Sequence, residues 1–108
     1  MITQNQINEV VQRIAVGYDP DKILLFGSYA LNSANENSDL DIIVIKNSNQ
    51  PIHKRIYEVK MLLLDITYPV DIIVYTSHEI DNDKNRKFSF IYNVLKTSKV
   101  VYERCAGN

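Results

Sequence analysis

The strongest constraint on this chain is the stretch from Lys22 to Lys46, KILLFGSYALNSANENSDLDIIVIK, in which two short apolar runs flank a polar connection. Ile23-Leu24-Leu25-Phe26 and Ile42-Ile43-Val44-Ile45 have the length and β-branched content of buried strands. The connection opens with Gly27-Ser28 and closes with Ser38-Asp39-Leu40-Asp41. With Asp39 to Ile45 read as one strand, the two-residue period puts Asp39 and Asp41 on one face at its mouth, with Cα atoms roughly 7 Å apart. Two carboxylates so placed repel, and one pKa rises unless a cation or a base neutralises the pair. Their oxygens suit a hard cation, above all Mg²⁺, with Mn²⁺ open beside it because it takes the same ligands. Gly27 and Ser28 offer a close-approaching backbone and a short hydroxyl to an anion where the preceding strand ends. A phosphate site facing a carboxylate pair is what metal-assisted phosphoryl chemistry requires.

On either side of this stretch the pattern changes to that of helices. Residues 3 to 17 read as an amphipathic helix, with capping-box spacing at Thr3-Gln4-Asn5-Gln6, Ile7, Val10, Val11 and Ile14 on one face, and Gly17 as its end. Pro51 suits the first turn of a second helix, in which Ile52, Ile56, Val59, Leu63 and Ile66 repeat at helical spacing while Lys54, Arg55, Glu58 and Lys60 face water. Pro69 marks the entry to a third strand, Val70 to Tyr75. A final helix is expected from about Asp81 or Asp83 to Thr97, with Phe88, Ile91 and Leu95 turned inward. The predicted class is α/β (α+β): a small mixed β-sheet with helices packed on one face, the other face and the strand ends being free for a site.

Composition bounds the partners. At 108 residues, 45% hydrophobic and 23% charged, residues 1–108 read as one domain with one core. A formal charge of -1 gives no broad basic field, so no stable nucleic-acid partner is expected. No apolar stretch reaches membrane-spanning length, and with no signal peptide the chain reads as cytoplasmic. The single cysteine, Cys105, has no histidine near it in sequence and reads as incidental. His53 and His78 lack paired ligands for zinc. Asp81-Asn82-Asp83-Lys84-Asn85 starts like a calcium loop but has Arg86 where glycine is required and Tyr92 where a bidentate glutamate is required, so it reads as a solvated loop. Lys84, Arg86 and Lys87 read as a solvated face, with a partner-facing patch as the alternative.

Asp71 carries independent weight. A carboxylate one residue into a strand, beside Val70, Ile72 and Ile73, is costly to bury unless it is paired, at an edge, or bound to metal. Taken alone, Asp39 and Asp41 could equally be a loop-ending turn. Ser28 is not a nucleophile by its context, since no glycine follows two residues later to build a nucleophile elbow.

Gly27-Ser28, ten intervening residues and then Asp39-Leu40-Asp41, with Asp71 on a later strand, resembles the signature of the polymerase-β-like nucleotidyltransferases, and specifically the minimal nucleotidyltransferase group. Lys99 to Glu103 is similar to that group's short closing strand, so the resemblance covers nearly the whole chain. The chain departs from it at Ala30-Leu31-Asn32, where many members have Ala-Arg-Gly or Ala-Lys-Gly. The resemblance implies transfer of a nucleoside monophosphate, AMP from ATP, to a hydroxyl. Two Mg²⁺ ions would be held by Asp39, Asp41 and Asp71, with Gly27 and Ser28 at the triphosphate. It further implies a helical HEPN-class ribonuclease toxin as partner, a tyrosine of which accepts AMP, so that this chain serves as antitoxin. Two other readings stay open: a turnover-deficient module that neutralises its partner by occlusion, and a transferase to a small-molecule hydroxyl. A homo- or hetero-oligomer is also open, because an acceptor must come from a partner or a second subunit.

Overall fold

The computed structural model describes residues 1–104, so Cys105 lies outside the described residues. Among those residues the order is α1 (Gln4–Tyr18), β1 (Lys22–Phe26), a 3-10 turn (Gly27–Tyr29), β2 (Leu40–Ile45), α2 (Ile52–Met61), β3 (Val70–Tyr75), α3 (Ser77–Asp83), α4 (Phe90–Thr97) and β4 (Lys99–Glu103). The four strands form one mixed sheet in the order β3-β2-β1-β4. β1 runs antiparallel to β2 and β4, and β2 runs parallel to β3 through the α2 crossover.

Strand alternation sorts the sheet into two faces. Ile23, Leu25, Ile42, Val44, Ile72 and Val74 meet α1 and α2 residues such as Ile7, Val10, Ile14 and Val59 in the main core. That is the helical layer the sequence predicts. Leu24, Ile43 and Ile45 point the other way and receive Val94 of α4, with Phe26, Ile73, Tyr75 and Ile80 around them. The second face is therefore partly roofed by α3 and α4, and its uncovered part lies toward the C-terminal mouth of β1.

Four local expectations need correction. α1 runs through Gly17 to Tyr18, and the left-handed residue that ends it is Asp19, φ 53°. Gly17 serves packing instead: a Cβ there would lie 2.6 Å from a Leu62 methyl. α2 ends at Met61, although Leu63 is still buried and Ile66 half-buried beyond it. The expected last helix is two helices, because Thr76 caps α3 through a box with Glu79 and Ser89 caps α4 through the Tyr92 amide. Asp81 and Asp83 thus stand in a helix rather than a loop, while Phe88, expected inward, is 93% exposed with φ 71°.

The fourth correction is Arg55, which periodicity assigns to water and the structure buries at 5% exposure. Its guanidinium donates to the carbonyls of Gln50 (2.9 Å) and Val74 (2.7 Å) and makes a fork to Glu79 at 2.8 and 3.1 Å. Glu79 in turn accepts from the Thr76 amide at 2.8 Å, so one ion pair ties α2 to β3 and to the start of α3. The pairing holds the Glu79 carboxyl below its usual pKa range. Removing the carboxylate leaves a buried, unpaired cation, whereas removing the arginine leaves a carboxylate that water can reach. We therefore expect Glu79→Gln to cost about 2–3 kcal/mol in urea unfolding and Arg55→Met to cost less; the reverse order would refute the account.

Candidate active site

The turn that leaves β1 is built around Gly27. Its φ of 72° is a left-handed value that favours glycine, and its carbonyl accepts from the amides of Ala30 and Leu31, both at 3.1 Å. Tyr29 is buried behind it, and its hydroxyl accepts the Ile2 amide at 2.9 Å, which pins the N-terminal segment to the turn. Asn32 takes a left-handed φ of 58°, a conformation asparagine tolerates. Leu31 beside it is 57% exposed.

The approach to β2 is shaped by a turn in which the Asn35 amide donates to Ser38 Oγ and the Asn37 amide to Asn35 Oδ1. Asp39 follows as an exposed residue just before β2, which begins at Leu40 rather than at Asp39 as predicted. Asp41 lies one residue inside the strand, opposite Phe26 of β1 on one side and opposite Asp71 of β3 on the other. Parallel partners in register present their side chains to the same face, so Asp41 and Asp71 stand together on the face that α4 partly covers. Gly27 closes the third side: a Cβ built on it would fall 2.3 Å from Asp41 Oδ2. Any side chain at position 27 would occupy the space of the carboxylate.

Electrostatics single out Asp41. Burial, then the charges of Asp71 and Asp39, then a hydrogen bond with Asp71 push its pKa up to about 6. Sequence reasoning places the cost of burial on Asp71, but β3 is an edge strand and Asp71 is exposed. The desolvated carboxylate is its neighbour. Among the described residues no three carboxylate, histidine or cysteine side chains converge as a metal-ligand set. What the structure does bring together is Asp41 with Asp71 and Gly27, with Asp39 near enough to act on Asp41 through its charge. The donors are all carboxylate oxygens, and the like-charge strain among them is of the kind a hard divalent cation relieves, so the residues fit magnesium.

The sign of the strain is testable without any ligand. Because the folded pKa of Asp41 is raised, protonation favours the folded state, and stability falls as pH rises from about 4 through about 6. In chelator, Asp41→Asn is expected to raise Tm at pH 8 and to leave it nearly unchanged at pH 4. An equal effect at both pH values in thermal melts would contradict the assignment.

Comparison with known proteins follows from this geometry. The family model described as Polymerase beta, Nucleotidyltransferase matches residues 5–106. No curated protein gives a significant match. Among solved structures, a candidate nucleotidyltransferase from Sulfolobus solfataricus superposes with a TM-score of 0.65 at 24% identity, covering 91% of this chain and 78% of the other. A toxin-antitoxin structure with AMP-PNP superposes with a TM-score of 0.62 at 21% identity, covering 89% of this chain and 72% of the other. At these identities the two likenesses speak for the fold. None of the described helices is long and apolar enough to cross a membrane. The match across nearly the full length, on a fold that sets Gly27 against a register pair of aspartates, shows that the chain belongs to the polymerase beta nucleotidyltransferase family.

Proposed function

We propose that this nucleotidyltransferase, as a single domain spanning residues 1–108, moves AMP from ATP onto a hydroxyl, a tyrosine of a HEPN-class ribonuclease toxin, and so acts as an antitoxin. The observation that carries the reading is the Asp41–Asp71 pair backed by Gly27. Family membership supports nucleotidyl transfer. The toxin-antitoxin neighbour with AMP-PNP supports an adenine nucleotide and a toxin partner. The HEPN class is what the resemblance to the minimal nucleotidyltransferases implies, a resemblance carried by Gly27-Ser28 and Asp39-Leu40-Asp41.

Asp39, Asp41 and Asp71 would together hold two Mg²⁺ ions. When bound, such ions neutralise phosphate charge and lower the pKa of an acceptor hydroxyl. The remaining work belongs to the chain. Gly27 and Ser28 form a turn that would receive the phosphates through backbone amides and the serine hydroxyl, with no Cβ to hold them away. Asp71 is assigned the base role because it is exposed on an edge strand, where an acceptor can approach, while Asp41 is half-buried. It takes the proton as the tyrosine oxygen attacks the α-phosphorus; the bond from that phosphorus to the bridging oxygen breaks, and pyrophosphate leaves. Catalysis is then mainly positioning and charge neutralisation.

Intact mass spectrometry of the toxin after incubation with this protein, ATP and Mg²⁺ tests the reading directly. A gain of one or more AMP units is expected with the unmodified protein and not with the Asp39→Asn, Asp41→Asn double variant. No gain, with neutralisation retained by that variant, would establish occlusion in its place. Gly27→Ala should lower the transfer rate about 100-fold or more, because the added methyl displaces the Asp41 carboxylate. Full activity in a single-turnover assay would show that this close approach is not needed.

A further inference from the structure

The face that carries Asp41 and Asp71 also carries an open cavity of about 420 Å³, within the range that small-molecule sites occupy. Phe26, Gly27 and Leu31 form one wall, and Phe90, Lys96 and Thr97 of α4 contribute the other. Gly27 belongs to both sites: one side of it abuts Asp41 Oδ2, and the other lines the cavity. Phe26, the cross-strand partner of Asp41, meets Phe90 edge to face with ring centroids 5.7 Å apart, which gives the cavity an aromatic end. A second cavity, about 290 Å³, is lined by Val70 and Ile72 beside the end of α2. Those two residues alternate with Asp71 along β3, so that cavity opens away from the carboxylates.

We infer that the cavity between the Gly27 turn and α4 seats the nucleoside of the triphosphate, and that Lys96 supplies the cation for its phosphates. This rests on the nucleotidyl transfer proposed above. The cavity has apolar and aromatic walls, as a base and a ribose require, and it touches the phosphate turn at Gly27. The carboxylates beyond that turn leave the mouth negative, so a triphosphate entering it needs a positive partner from the protein. Among the described residues that line the cavity, Lys96 is the single cation. Its ammonium lies 5.0 Å from the ring centroid of the half-buried Tyr92 one turn earlier on α4, a weak contact that an exposed, flexible lysine can leave. Leu31, across the cavity, supplies wall and no charge. α4 thus provides from its last turn what the loop after Gly27 lacks. A nucleoside triphosphate is the occupant because an apolar side chain of a partner would have no use for the ammonium.

Two probes separate the two halves of the inference: AMP-PNP, which has a nucleoside, and tripolyphosphate, which has none. Binding of each, with Mg²⁺, is followed by calorimetry. Lys96→Ala is expected to weaken both roughly tenfold, and Lys96→Arg to restore both. Thr97→Trp, at an exposed position on the cavity wall, is expected to weaken AMP-PNP about tenfold or more and to leave tripolyphosphate within about twofold. Lys60→Ala, on the other cavity, controls for net charge and should change neither. The inference is overturned if Lys96→Ala leaves both probes within about twofold, if Lys60→Ala matches it, or if AMP-PNP tolerates Thr97→Trp. In those cases the unmodified protein still binds AMP-PNP and the transfer reading stands. Absence of AMP-PNP binding by the unmodified protein would bring down the transfer reading itself.

Discussion

The parallel pairing of β2 with β3 is the constraint on which the site depends. It aligns Asp41 with Asp71 residue for residue, so two carboxylates face the same side one strand spacing apart. A slip of one residue would send Asp71 to the α2 face and replace it beside Asp41 with Val70 or Ile72. The register is secured by the alternation of Ile42, Val44, Ile72 and Val74 into the main core on the opposite face, and at the mouth by the bond from the Leu40 amide to the Pro69 carbonyl at 3.0 Å. Packing on one face thus fixes chemistry on the other.

The same arrangement stores a local penalty. Asp41 is desolvated beside two like charges and against a glycine that leaves it no room to withdraw. Nothing in folding favours such a cluster, and an uncharged residue at position 41 would relieve it. Among the described residues no buried side-chain polar atom lacks a hydrogen-bond partner, so the strain on Asp41 is one of charge, the kind that clusters at functional sites. The Arg55–Glu79 fork is the contrasting case. Its charges are matched by geometry, with two further guanidinium donors on main-chain carbonyls, and it serves to lock α2, β3 and α3 together.

Much of this was legible from residue order. The strands at Ile23–Phe26, Ile42–Ile45 and Val70–Tyr75 announce themselves by short β-branched runs bounded by turn residues, and α1 by its capping box and apolar stripe. Reading failed where one local signal stood for two roles. Gly17 looks like a helix stop but makes room for Leu62; Arg55 looks solvated but finds partners 19 and 24 residues away. The start of α3 and that of α4 are marked in the sequence by Thr76 and Ser89, whose side chains cap them, whereas the apolar period alone suggests one helix.

The sequence by itself determined the strands, the two helices of the main layer and the candidate residues for phosphate and a hard cation, because hydrophobic period and side-chain chemistry are local properties. Tertiary structure alone decided which carboxylate is desolvated, that Gly27 abuts Asp41, and that α4 brings Lys96 to the cavity beside that turn. Those facts arise from strand register and from helices returning to the sheet. They depend on contacts between residues as far apart in sequence as Gly27 and Asp41, Asp41 and Asp71, or Gly27 and Lys96, for which no local pattern carries the information.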